Sequence, residues 1–282
     1  TDLDEYFTPG WREQVESAWA EGAQQLRYPY VWSFNADGSE GTFFYADKMH
    51  ARQGFEWIHP VHEVLRYTGG GEAQRALCQG MRLEHHPDAQ KSRAQYLPLL
   101  ELAVQEAPQD DRSLHYLGRE YLFHQRWNDC IATLKRHLAL PSATWRDERC
   151  ASMRYIARAY GARGNAYEQE CYLLRAAGEA PHLREPWLDL ARMYYARQNW
   201  PGVAYACERA LQIADRPRTY MTEPESFGAL PWDLLSIACY QLEQYSRAAQ
   251  AASEALRLAP QDARIAENVR LMEEKVGCGA EE

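Results

Sequence analysis

Two different hydrophobic patterns divide the sequence. In the first ninety residues, RYPYVWSFN (27–35) and GTFFYADKMHAR (41–52) are β-rich runs on either side of ADGSEG, a polar, glycine-containing link. Ahead of them, GWREQVESAWAEGAQQL (10–26) has helical spacing, with Val15, Ala18, Trp19 and Leu26 on one apolar face and Thr8-Pro9 as a start signal. Strands mixed with one helix predict part of an α/β layer domain. Further on the pattern repeats. EPWLDLARMYYARQNWPGVAYACERALQIA (185–214) and LPWDLLSIACYQLEQYSRAAQAASEALRLA (230–259) align without a gap at a shift of 45 residues. Each reads as a helix, a short polar turn and a second helix, and the segments 114–140 and 153–181 follow the same plan.

In the last unit the large and small positions are Trp232, Leu235, Ser236, Cys239, Ala248, Ala252, Ala255 and Pro260. In the first they are Leu114, Leu117, Gly118, Tyr121 and Leu134. This pattern resembles tetratricopeptide repeats, in which small residues sit at helix crossings and large ones fill the gap to the next repeat. A single repeat cannot bury its apolar face, so several must stack; residues 108–276 are expected to form a right-handed superhelix of antiparallel helix pairs. The insertion DRPRTYMTEPESFGALP (215–231) stretches one repeat spacing from 34 to 45 residues. In this register Arg119, Arg158 and Arg192 share one offset on the inner curve, and Arg112, Arg154, His115, Tyr195 and Tyr240 lie at neighbouring offsets. Such a ladder points to an anionic or acidic partner. The alternative is pairing with Glu120, Asp189 and other carboxylates between repeats.

Composition narrows the picture only slightly. The 282 residues are 46 % hydrophobic and 12 % aromatic, enough for a real core. The formal charge of −9 argues against generic nucleic-acid binding. Seven scattered cysteines without a C-x-x-C pair suit reduced thiols rather than a disulfide framework. No apolar run is long enough to span a membrane and no signal peptide is visible, so a cytoplasmic protein is expected.

Three short motifs carry candidate chemistry. The opening D-L-D-E places Asp2 and Asp4 where two carboxylates can share a hard divalent cation. The segment GFEWIHPVHEVLRY (54–67) holds Trp57, His62 and Glu63, the last two as a potential base and hydrogen-bonding pair, without the H-E-x-x-H spacing of a zinc hydrolase. HHPDAQKSR (85–93) places His85 and His86 before a basic run, either as a metal or phosphate site or as a helix start capped by Asp88 or Ser92.

In this order the motifs resemble family 2 glycosyltransferases of the GT-A type, the bacterial and phage group with C-terminal tetratricopeptide repeats. The resemblance implies an α+β chain: the acceptor-side part of a GT-A domain over 1–92, repeats over 93–276 and a disordered tail over 277–282. It implies an inverting sugar transfer from a nucleotide-sugar donor to an acceptor, assisted by Mn²⁺ or Mg²⁺, the acceptor being a protein or peptide. Asp2, Asp4 and His85 would then hold the metal, while Lys48, Arg52 and His86 face the diphosphate. Glu63 or His62 would act on the acceptor, and Trp57, Arg119, Arg158 and Arg192 would bind it. The nucleotide-gripping half expected before D-x-D is not in this sequence, so the chain is expected to be one part of such an enzyme. The other reading is a non-catalytic repeat adaptor with a degenerate first ninety residues.

Overall fold

The computed structural model describes residues 2–19, 22–35, 37–87 and 95–278. Asp88 and Ser92, the alternative helix caps, and the expected boundary at 92 lie outside the described residues, as do residues 279–282 of the expected tail. The chain separates into two compact units, one of Thr1–Leu117 with Arg218–Tyr220 and one of Gly118–Pro217 with Met221–Glu282.

The first unit is built on a mixed sheet. Its elements are β1 (Glu5–Phe7), α1 (Trp11–Ala18), β2 (Gln25–Val31), β3 (Phe43–His50), β4 (Phe55–Ile58), β5 (Val64–Tyr67), β6 (Arg75–Leu77), β7 (Leu83–His85) and α2 (Tyr96–Glu106). The two β-rich runs pair antiparallel as β2 and β3, from Gln25 opposite His50 to Val31 opposite Phe43, with a register shift between Leu26 and Tyr28. On the other edge of β2, β6 and β7 follow one another in parallel register, and β1 completes the edge antiparallel to β7. β4 and β5 form a separate hairpin. Leu26, Tyr28, Tyr30, Ala46, Cys78, Met81 and Leu83 make the core, with Trp11, Val15, Ala18 and Trp19 packed against it.

The helix expected over 10–26 is shorter than its pattern. It starts after Gly10, whose φ of 79° closes the preceding turn, and ends at Ala18. Leu26 belongs to the strand and is fully buried in the sheet core. One apolar residue satisfies a helical stripe and an inward strand position equally well, and burial against the sheet decides between them.

The regular elements of the second unit are all helices among its described residues. They are the end of α3 (Asp111–Phe123), then α4 (Trp127–Ala139), α5 (Arg146–Ala162), α6 (Ala166–Glu179), α7 (Glu185–Ala196), α8 (Trp200–Leu211), α9 (Leu230–Gln241), α10 (Tyr245–Leu258) and α11 (Ala263–Cys278). Each of α4 to α10 packs on the next, the nearest-neighbour arrangement of a stacked repeat array. Small residues set the crossings. Ala248, Ala251, Ala252 and Ala255 of α10 are buried, and a Cβ added to Gly118 would lie 2.3 Å from Leu134 Cδ2.

The helix pairs turn on one recurring backbone conformation. Gln125, Gly164, Gln198 and Glu243 sit between paired helices with φ of 57°, 73°, 55° and 61°. Asn165 and Asn199 then cap the following helices, accepting from the N–H groups of Glu168 and Gly202. Between α8 and α9 the insertion runs irregularly and includes a 3-10 turn, Pro224–Phe227. Cys130, Cys150, Cys207 and Cys239 are buried free thiols.

Candidate functional site

Arg158 and Arg192 of the arginine ladder, joined by Arg154 from the neighbouring offset and not by Arg119, converge with the insertion on a groove of the second unit. Arg154 and Arg158 are one turn apart on α5, Asp189 and Arg192 lie one turn apart on α7, and Glu223 and Glu225 come from the insertion. Arg154 Nε donates to Asp189 Oδ2 at 2.7 Å and its Nη2 to Glu223 Oε1 at 2.8 Å. Arg158 Nη2 donates to Asp189 Oδ1 at 3.0 Å and lies 3.6 Å from Glu223 Oε1. Arg192 reaches Asp189 at 3.7 Å and Glu225 Oε1 at 2.5 Å. Arg158, Arg192, Glu223 and Glu225 line a cavity of about 500 Å³ with Gln169, Leu173 and Met193.

Burial grades this network from inside to outside. Arg154 and Asp189 are buried, with side chains 4 % and 7 % exposed, whereas Arg192 and Glu225 are 38 % and 48 % exposed. Desolvation opposes the charge on Arg154, but Asp189 and Glu223 outweigh it and hold the guanidinium pKa above its ordinary value. Burial also works against ionised Asp189, and Arg154 with Arg158 overcomes it, holding that carboxyl below the ordinary aspartate value. Glu185 comes out the other way. Its burial outweighs the attraction of Arg154 and raises its pKa, although its Oε1 accepts the Glu223 N–H at 2.9 Å.

The insertion is secured beside this groove. Arg184 Nε donates to Ile213 O at 2.8 Å and its Nη1 to Ser226 O at 3.2 Å, while the guanidinium lies 4.2 Å from the Phe227 ring centroid. Thr222 Oγ1 donates to Pro217 O at 2.7 Å. The third arginine of the ladder, Arg119, lies 5.9 Å from the Phe123 ring centroid.

In the first unit the structure brings together only some of the residues singled out from sequence. Asp4 Oδ2 lies 3.5 Å from His85 Nε2, and Asp4 O accepts the His86 N–H at 2.8 Å. Asp2 is exposed, and its backbone N–H donates to Glu5 Oε2 at 2.9 Å. His85 stacks on Trp32 with centroids 4.2 Å apart, and His86 stacks on Phe34 and reaches Glu84 Oε2 at 3.2 Å. Lys48 Nζ donates to Glu5 Oε1 at 2.9 Å, and Arg52 is exposed in the bend after β3. His62 has a φ of 54°, its ring stacks on Tyr116 and Tyr96, and its carbonyl accepts from Arg112. Glu63 is exposed, as is Trp57 on β4, which meets His50 edge-on.

The carboxylate that organises this region is Glu5, which motif reading passes over. It is 7 % exposed and accepts from Tyr30 Oη at 2.5 Å as well as from Lys48. Burial works against its charge, and the Tyr30 and Lys48 contacts overcome this, holding the carboxyl below its ordinary value. The signal was its place in a strand, one residue before exposed Tyr6, which alternation turns inward.

No known family's sequence model matches the chain, and no curated protein matches it. Among solved structures it is similar to MamA at 15 % identity, covering 60 % of this chain and 89 % of that one, with a TM-score of 0.48. It is also similar to TTC0263, a thermophilic tetratricopeptide-repeat protein of Thermus thermophilus, at 18 % identity over 62 % of this chain and 88 % of that one, TM-score 0.43. A third is the first such repeat domain of Spaghetti (RPAP3), bound to the HSP90 peptide SRMEEVD, at 13 % identity over 46 % and 98 %, TM-score 0.38.

These comparisons correct the glycosyltransferase reading: the structures the chain resembles are tetratricopeptide-repeat proteins, and they give no support to a GT-A portion, a transferase activity or a nucleotide-sugar donor. Local geometry shows how short polar motifs suggest such a site. The D-L-D-E residues form a turn leading into β1, and the V-H-E segment is a bend whose histidine packs between tyrosines. The chain is mostly helical, and among its described residues no helix is long and apolar enough to cross a membrane.

Proposed function

We propose that the chain is a non-catalytic interaction module of the tetratricopeptide-repeat kind, which takes an extended acidic segment of a protein partner in the groove of its second unit. The observation that carries this reading is the graded arginine ladder. Arg154 is locked in a buried network, while Arg158 and Arg192 present half-exposed guanidinium groups to a cavity of about 500 Å³. Guanidinium groups pair with carboxylates through two parallel donors, which gives direction as well as attraction. Leu173, Met193 and Ala196 add apolar lining for side chains between the acidic ones.

The test is fluorescence anisotropy on the full chain with a labelled acidic peptide and its Gln-for-Glu counterpart. Arg158→Gln and Arg192→Gln should each weaken binding by about tenfold, less than a fully shielded charge-assisted contact supplies, because both sites are partly solvated. Binding should also weaken between low and physiological salt. Equal binding of the acidic and neutral peptides would overturn the reading.

A further inference from the structure

The insertion carries acidic residues into the groove that the repeats build. Gln198 and Glu243, equivalent turn residues, are 45 residues apart, against 39 between Gln125 and Gly164 and 34 between Gly164 and Gln198, so the longest excess of chain falls in this connection. It places carboxylates at positions i and i+2 on the ladder: Glu223 on Arg154 and Arg158, and Glu225 on Arg192. The helices themselves bring Asp189 to all three guanidinium groups, 2.7, 3.0 and 3.7 Å away, and the contact to Arg192 is the longest. Arg192 therefore has its close carboxylate from the insertion.

We propose that residues 223–225 are an internal ligand of the arginine ladder, and that an incoming acidic peptide exchanges its own carboxylate for Glu225 at Arg192. This rests on the acidic-peptide reading and adds its regulation. The exchange needs only side-chain rotation at Glu225. The backbone beyond it stays fixed by Arg184 on Ser226 O and Phe227, and Glu223 stays on buried Arg154. Glu225 is 48 % exposed and its pair with Arg192 is solvated, so one carboxylate replaces another at small cost. The insertion then sets a threshold. Partners with isolated charges compete poorly with a carboxylate tethered beside the site, whereas peptides with spaced carboxylates and apolar contacts displace it.

The test uses the full chain and a labelled peptide copying residues 220–228, with a second peptide carrying Gln in place of both Glu residues. Glu225→Gln should tighten binding of the acidic peptide by roughly two- to fivefold, the gain expected when a solvated ion pair closed in about half to four-fifths of the molecules is removed. The gain should vanish in Glu225→Gln combined with Arg192→Gln, and the neutral peptide should bind both proteins alike. If the acidic peptide binds through the arginines but with one affinity in wild type and Glu225→Gln, the internal-ligand proposal fails and the binding reading stands. If neither protein distinguishes the acidic from the neutral peptide, both fail. Circular dichroism melts of each variant establish that the fold is kept, and a half-exposed side chain is chosen so that it will be.

Discussion

Arg154 and Asp189 meet at 2.7 Å in the interior of the repeat array, one from α5 and one from α7, and both side chains are almost fully removed from water. A buried pair of this kind contributes less as attraction than it costs when halved. Asp189→Asn should destabilise the second unit by about 3 kcal/mol in urea denaturation, because it removes the buried carboxylate that Arg154 Nε is paired with and leaves the half-buried Glu223 as its ion-pair partner. Replacing both residues by apolar side chains of similar volume should cost clearly less. A double variant as unstable as the single one would show that the pair stabilises the fold in its own right.

The two buried carboxyls beside Arg154 respond to pH with opposite signs. Asp189 is held below its ordinary value of 3.8, so its contribution is present above that pH and is lost as pH falls through the depressed value. Glu185 is raised above its ordinary 4.5, so folding favours its protonated form and its contribution improves as pH falls through the raised value. Glu185→Gln should therefore stabilise the protein at neutral pH, with the advantage shrinking towards pH 4.5. Urea midpoints of wild type and variant, measured across that range, check the sign.

Three of the four left-handed turn positions carry residues other than glycine, at Gln125, Gln198 and Glu243. A side chain in this region costs about 1 kcal/mol relative to glycine. Gln198→Gly and Glu243→Gly are expected to raise stability by roughly 0.5–1 kcal/mol each, in part offset by the greater freedom of the unfolded chain. Thermal melts of the single and double variants test whether the gains occur and add.

At the α3–α4 crossing the opposite substitution is costly. The Cβ of Gly118→Ala would fall 2.3 Å from Leu134, whose side chain is fully buried and has little room to withdraw. We expect a loss of about 1–3 kcal/mol, with partial recovery when Leu134→Ala is added. An unchanged melting temperature for Gly118→Ala would contradict this close approach.

The repeat array was the legible part of the sequence. Its helix pairs follow from spacing, its crossings from Gly118 and the alanines of α10, and its one long connection from the Pro-rich stretch between α8 and α9, all properties of residues near one another in the chain. The first unit was less legible. Leu26 fitted a helix until β3, β6 and β7 claimed its strand, and Glu5 looked like one acid among several until Tyr30 and Lys48 closed over it. D-x-D and V-H-E are a few residues long, and nothing in so short a pattern fixes what their side chains will face. The arginine ladder was visible as a repeat offset, but its chemistry was not. Whether Arg158 and Arg192 stand open or meet Asp189, Glu223 and Glu225 depends on residues as far as 65 positions away being folded back onto them. Helical periodicity is set by each residue and its neighbours one turn away; the partner of a charge is chosen by the packed chain, because only burial together makes one pairing better than water.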